Sequence, residues 1–233
     1  MNAASLRAVL FASAMLALSA GAGAQQGPAA HVAASREAQG RSQHLAKPLD
    51  GPAIKTERVP LTAYRPITGT QRIAWFLGST GGPVSLASGA FSAGFGTGLD
   101  DPHEYRGTWA GFGKRYAMRF TGISTGNAME AGLGAIWGED PRYFRAPGAA
   151  FGSRVWRVIR MTFIAPRRDG SFAPAYARYA AISSNNFLSN TWRMPSESGP
   201  GHAGIRILEG FGCRMAGNAF REFWPDLKSR VFR

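Results

Sequence analysis

Residues 107–145, GTWAGFGKRYAMRFTGISTGNAMEAGLGAIWGEDPRYFR, limit the fold more than any other stretch. Helical spacing runs unbroken from Thr108 to Trp137, and Gly138 with the Pro141 turn supplies the stop. The stretch therefore predicts one long Gly/Ala-rich helix closed by a charged, aromatic tail. Each glycine costs up to about 1 kcal/mol of helix propensity, so close packing has to offset it. Gly94 and Gly98, Gly107 and Gly111, Gly122 and Gly126, and Gly134 and Gly138 stand four apart. Each pair lies on one helix face, where a partner backbone can approach.

Shorter helices are predicted around it. Residues 70–78 suit a helix capped by Thr70, broken by Gly81-Gly82-Pro83, and residues 84–99 continue as a second helix stopped by Asp100-Asp101-Pro102. In residues 151–164, FGSRVWRVIRMTFI, apolar residues alternate partly with arginine, which leaves helix and strand both open. Arg167-Arg168-Asp169-Gly170 reads as a turn. Residues 174–192 and 204–223 return to helical spacing, with Pro225 expected to halt the last helix. Short connections predict that sequential helices pack as antiparallel neighbours. The expected fold is mainly α, a compact Gly/Ala-rich antiparallel bundle over residues 61–233.

The N-terminal part reads differently. Arg7, the apolar run of residues 8–20 and Ala22-Gly23-Ala24 have the form of a secretory signal peptide over residues 1–24, cut before Gln25. Its apolar run is shorter than the roughly 20 residues a spanning helix needs. Residues 25–60 mix Gln, Ala, Ser, Pro and charge without period and read as a flexible tether, with His31 and His44 solvated in it. A single cysteine, Cys213, excludes an intramolecular disulfide and the usual zinc clusters. With 27 Lys+Arg against 14 Asp+Glu the net charge is +13, which favours anionic lipid or acidic polymer. Export argues against a nucleic-acid partner. Lys114, Arg115, Arg119 and Glu130 interrupt the central helix, so a membrane-spanning helix is not expected there.

Three groups invite a chemical reading. Gly122-Ile123-Ser124-Thr125-Gly126 matches the G-x-S-x-G pattern, and Asp140 or Asp169 followed by His202 completes a Ser, Asp, His order. That motif needs a strand, a sharp turn and a helix, whereas helical spacing here runs straight through it. Glu130 shares a stripe with Tyr116, Arg119, Ile123, Asn127, Gly134 and Trp137. A carboxylate desolvated there is either a general acid or base, or one half of a structural ion pair with Arg119 or with a basic or amide group of the last helix. On the last helix Leu208, Phe211, Met215, Asn218 and Glu222 form a matching stripe, and Asn186 and Asn190 add two amides. Arg119, Asn127, Glu130, Asn186, Asn190, Asn218 and Glu222 thus make a candidate polar seam, a pocket or a register lock. Two carboxylates are the minimum for acid/base hydrolysis. No metal or cofactor is expected, since His103 and His202 stand alone and no phosphate-binding loop is present.

WFLGSTGGP at 75–83, EDPRYFR at 139–145 and NAFREFWPDL at 218–227, in this order, resemble the framework of an uncharacterised family of exported bacterial proteins. The resemblance spans about residues 61–232 and implies an envelope setting; no reaction or ligand comes with it. Taken alone, EDPRYFR reads as a helix stop whose acids pair with Arg142 or Arg145 and whose Tyr143 and Phe144 pack back on the helices. The expectation is a non-enzymatic envelope protein that contacts anionic lipid, polymer or a protein partner. The alternative is a hydrolase acting through Glu130 and Glu222, or through Ser124. A sealed seam favours the first and an open polar pocket the second.

Overall fold

A computed structural model describes residues 64–231, so the signal-peptide and tether segments lie outside the described residues. The chain is mainly α. In order it forms α1 (Gly69–Gly81), α2 (Pro83–Gly98), α3 (Trp109–Trp137), α4 (Phe151–Phe163), β1 (Ile164–Pro166), β2 (Phe172–Pro174), α5 (Tyr176–Leu188) and α6 (Pro200–Val231).

The helix ends follow local chemistry. α1 is capped by Thr68 rather than Thr70. Thr68 Oγ1 accepts from the Gln71 amide at 3.3 Å while Gln71 Oε1 accepts from the Thr68 amide at 3.2 Å, a reciprocal box. Gly82 turns the chain between α1 and α2, and Pro83 sits in the first turn of α2, where its missing N–H costs nothing. Thr108 caps α3 by accepting from the Gly111 amide, and Gly138 ends it at φ 73°.

α3 is the organiser, with α1, α2 and α5 packed along it. Cross-contacts fix the directions. Arg72 near the start of α1 reaches the Ala131 carbonyl, and Thr80 near its end meets Asn127. On α2, Ser88 meets Arg119 and Thr97 meets Arg115. Both helices therefore run antiparallel to α3, one after the other along its length. Arg115 closes the α2–α3 connection by donating to the carbonyls of Asp101, Pro102 and Arg106.

The expected sequential antiparallel pairing holds for α2 with α3 and for α5 with α6, but not for α1 with α2, which follow one another along α3, nor for α4. α4 packs on α6, which also receives α5, because the EDPRYFR segment leaves α3 as extended chain instead of turning straight back. Residues 151–163 are helix. Val158, Met161 and Thr162 are buried with helical spacing, one to two turns after Arg154, which is mostly buried itself. The antiparallel β1–β2 hairpin pairs Ile164 with Pro174 and Pro166 with Phe172. Its turn places Gly170 at φ 80° and uses Asp169 Oδ1 to accept from the Ser171 amide at 2.9 Å.

Pro225 does not halt the last helix, which runs on to Val231. Nearby, the Glu222 carbonyl accepts from Arg154 Nη2 at 2.6 Å and Arg145 Nε at 3.2 Å. Two guanidinium groups thus support the turn whose hydrogen-bond ladder the proline interrupts.

The glycine pairs are only partly contact sites. A Cβ at Gly111 would sit 2.1 Å from the Arg106 carbonyl, one at Gly126 would press on Asn185, and one at Gly134 would lie 2.7 Å from Arg72. At Gly98 and Gly122 nothing lies within 4 Å, so those two do not serve packing. The close neighbours are loop carbonyls and long side chains rather than facing helix backbones.

Inside and outside are unusually distributed. Among the described residues, leaving glycine and proline aside, ten polar or charged residues are buried against nine apolar ones, and six of those nine are alanine. Ile73, Leu77, Val84, Leu86, Leu99, Trp109, Ile136 and Trp156 are all exposed. Ion pairs hold the interior, and large apolar side chains cover much of the outside.

Candidate functional site

Glu130 lies where α3, α5 and α6 meet. Gly134, one turn on, sits between Arg72 of α1 and Ala177 of α5, so this stripe of α3 faces a crease between two helices. Asn127 turns to α1, donating to Thr80 Oγ1 at 3.1 Å, and Arg119 turns to Ser88 of α2 at 3.4 Å. Glu130 turns the other way. Its Oε1 accepts from Arg178 Nε at 3.0 Å and from Arg214 Nη2 at 2.8 Å. These partners lie on α5 and α6, and Arg214 is the basic group of the last helix that the sequence offered as the alternative to Arg119.

Both arginines are shared with backbone carbonyls. Arg178 Nη1 donates to the carbonyls of Met161 and Thr162 at 2.8 and 2.9 Å, and Arg214 Nη2 to that of Pro141 at 2.8 Å. Burial, and then Arg178 alongside, pull the Arg214 guanidinium down to about 9, with Glu130 opposing them. It stays charged at neutral pH. The surroundings of Glu130, Glu139, Asp140 and Arg178 leave no volume that a water molecule could occupy. This carboxylate is largely buried, with 8% of its side chain exposed.

Glu222 anchors a second cluster and is 0% exposed. It accepts from Arg154 Nε at 2.7 Å, from the Tyr143 hydroxyl at 2.8 Å and from the Ala146 amide at 3.3 Å. Burial, and then the hydrogen bond to Glu222, hold the Tyr143 hydroxyl well above the usual phenol range. Asp226, one turn on, takes Arg154 at 2.6 Å and Arg145 at 3.1 Å, and its hydrogen bond to Arg154 draws its carboxyl below the ordinary value.

Asn218 lies between the clusters and donates to Thr162 Oγ1 at 3.2 Å. Arg214, Asn218 and Glu222 stand four apart on α6, so one face of that helix carries both ionic centres. The exposed Leu208 leaves that face, so the apolar part of the expected stripe is only partly buried. Asn186 and Asn190 belong elsewhere. Arg206 donates to the Asn186 carbonyl and to Asn190 Oδ1, while the Asn186 side chain returns to Ile182 of its own helix. The single seam expected from sequence is therefore several clusters, and Glu130 and Glu222 face no common cavity. Arg214, which reaches Glu130, stands eight residues or about 12 Å along α6 from Glu222.

EDPRYFR ties these parts together. The Glu139 carboxylate accepts from the Tyr176 and Ala177 amides at 3.1 and 3.0 Å, capping α5 from another part of the chain. Its carbonyl takes Arg72 at 2.8 Å. Asp140 pairs with Arg142 at 2.7 Å, and its amide donates to the Pro166 carbonyl. Tyr143 and Arg145 then bind Glu222 and Asp226 of NAFREFWPDL. From the first landmark, Trp75 lies under the Arg214 guanidinium, 5.6 Å away. The three landmarks named by the sequence thus each meet the Glu130 or the Glu222 cluster.

Ser124 sits in continuous helix and donates to the Phe120 carbonyl at 2.8 Å, an ordinary helical back-bond. Asp169 is engaged by Ser171 and His202 is exposed at the start of α6. The nucleophile-elbow geometry is not there. Sequence reasoning missed Arg178, Arg154 and the Tyr143 hydroxyl, and anticipated Arg214 only as an unnamed basic group of the last helix. The available signals were an arginine set among buried-type alanines in ARYAA, and Arg214 in register with Asn218 and Glu222.

Compared with protein-family models, curated proteins and solved structures, the chain matches none.

Proposed function

We propose that the protein is an exported, non-enzymatic component of the cell envelope that lies on an anionic membrane surface, with its α1–α3 face turned to the lipid. One observation carries the proposal. Residues 73–99 contain no charged residue, and residues 120–138 contain one, the buried Glu130. These segments form α1, α2 and most of α3, and they expose Ile73, Leu77, Val84, Leu86, Phe95, Leu99, Phe120 and Ile136. Large apolar side chains exposed on charge-free segments in this number mark an interaction surface.

Among the described residues no helix is long and apolar enough to cross a membrane, which suits a surface position. The net charge of +13 adds attraction to anionic headgroups, about 1 kcal/mol for each Lys or Arg that comes close. Apolar insertion combined with basic charge is the usual two-part basis of stable peripheral attachment. The hydrolase alternative has less support, since Glu222 is fully buried among arginine, tyrosine and amide donors and Glu130 is paired with two arginines.

Co-sedimentation with vesicles of phosphatidylcholine and phosphatidylglycerol tests the proposal. The expected result is binding at low salt that weakens severalfold at molar salt, because exposed charges are screened within about 8 Å already at physiological ionic strength. Absence of binding at low salt would overturn it and leave polymer or protein as the partner to seek.

A further inference from the structure

We propose that the groove between α1 and α3 holds part of one acyl chain of an anionic membrane phospholipid, with the Arg168 guanidinium meeting its phosphate. The inference rests on the membrane reading above and names the lipid contact within it.

The groove has a volume of 320 Å³. Ile73 and Phe76 of α1 form one wall, and Ala128, Ala131, Gly132 and Ala135 of α3 form the floor. These α3 positions recur at i, i+3, i+4 and i+7, so their small side chains leave a straight trough about 10 Å long. Arg72 is the one charged lining residue, and its Nη atoms are engaged by the carbonyls of Ala131 and Glu139. The trough therefore offers an apolar bed with little to orient a polar ligand.

A cation stands at one end. Arg168 Nη2 donates to the carbonyl of the lining residue Ala135 at 2.8 Å, and the Arg168 stem lies against Gly138. The adjacent Asp169 carboxylate is turned to the Ser171 amide and hydroxyl. One bond fixes the guanidinium and leaves further N–H groups of its planar fork for an anion. An apolar trough ending at a held guanidinium matches the two halves of an anionic lipid, a methylene chain and a phosphate. Exposed Ile136 and Trp137 follow Ala135 at that same end of α3.

The test is calorimetric titration of the full chain with dodecyl phosphate below its micelle threshold, and with neutral dodecyl maltoside. Saturable binding of one dodecyl phosphate per chain is expected, in preference to the maltoside. Gly132→Leu should weaken it about tenfold, the loss of roughly two buried methylenes. A Cβ at Gly132 meets nothing within 4 Å, so the new side chain fills the trough without moving the backbone. Should Gly132→Leu misfold, Ala128→Leu takes its place. Arg168→Gln should abolish the preference for phosphate over maltoside.

Undiminished binding to a folded Gly132→Leu or Ala128→Leu variant, or no binding at all, would overturn the groove, and equal affinity for maltoside would overturn the Arg168–phosphate contact. Vesicle association without dodecyl phosphate binding sinks this inference alone. Dodecyl phosphate binding without vesicle association sinks the membrane-surface reading and keeps the amphiphile site.

Discussion

Replacing Glu130 by glutamine removes one negative charge from between two guanidinium groups and keeps the side-chain shape. Glu130, Arg178 and Arg214 expose 8, 3 and 17% of their side chains, so solvent screening does little to discount the pairing. Breaking a buried pair from one side costs about 3–5 kcal/mol, because the partner charge stays behind uncompensated. Here the lower end is expected, since Arg178 and Arg214 retain their carbonyl partners and the Gln oxygen still accepts one bond. In a unit of this size 1 kcal/mol moves the melting temperature by about 2–4 °C, so a fall of roughly 6–12 °C follows. The assay is a thermal melt followed by circular dichroism, with Ser124→Ala as a control that should stay within about 0.5 kcal/mol of wild type. A Glu130→Gln protein that melts unchanged or higher would refute the structural role of the pair. It would return attention to an acid/base function, since active-site groups often lower stability.

Other consequences are as specific. Glu139→Ala should destabilise by about 1–2 kcal/mol through loss of the α5 cap, read from denaturant midpoints, whereas retained stability would mean that water replaces the carboxylate. Tyr143→Phe should cost about 1–2 kcal/mol. The raised phenol favours the fold below about pH 10, the unfolded value, and that contribution is lost as pH rises through the still higher folded value. Alkaline melts should therefore fall more steeply for wild type than for Tyr143→Phe, and parallel curves would contradict it. Gly122→Ala should stabilise by up to about 1 kcal/mol and Gly134→Ala should destabilise, because only the second adds a Cβ beside Arg72. N-terminal sequencing of exported protein should return Gln25, and a Met1 terminus would remove the export premise.

Much of the fold was legible because its punctuation is local. Thr108, Gly138, Gly82-Pro83 and Asp169-Gly170 set boundaries through their own backbone chemistry, and the structure uses all of them. The α1 cap was misplaced by two residues because Thr68 and Thr70 are both plausible caps, and only Gln71 three residues after Thr68 completes the box. Pro225 was misread because helix propensity says nothing about Arg145 and Arg154, which arrive from distant segments to hold the Glu222 carbonyl. The same limit explains the site. Periodicity placed Glu130, Asn218 and Glu222 on inward stripes, yet it could not tell which arginine crosses from which helix. The charge-free run of residues 73–99 was plain in the sequence. It gained meaning only once α1 lay along the uncharged end of α3, with α2 continuing beyond it along the first half of that helix.

The membrane-facing role of α1–α3 is most directly measured with a double variant, Leu77→Glu with Leu86→Glu, compared with Leu208→Glu plus Leu227→Glu on α6. All four leucines are exposed, so both proteins should melt close to wild type. Co-sedimentation with phosphatidylglycerol vesicles at low salt should be lost for the α1–α2 variant and kept by the α6 variant. Equal binding by the two, or loss confined to the α6 variant, would contradict a lipid-facing α1–α3 surface.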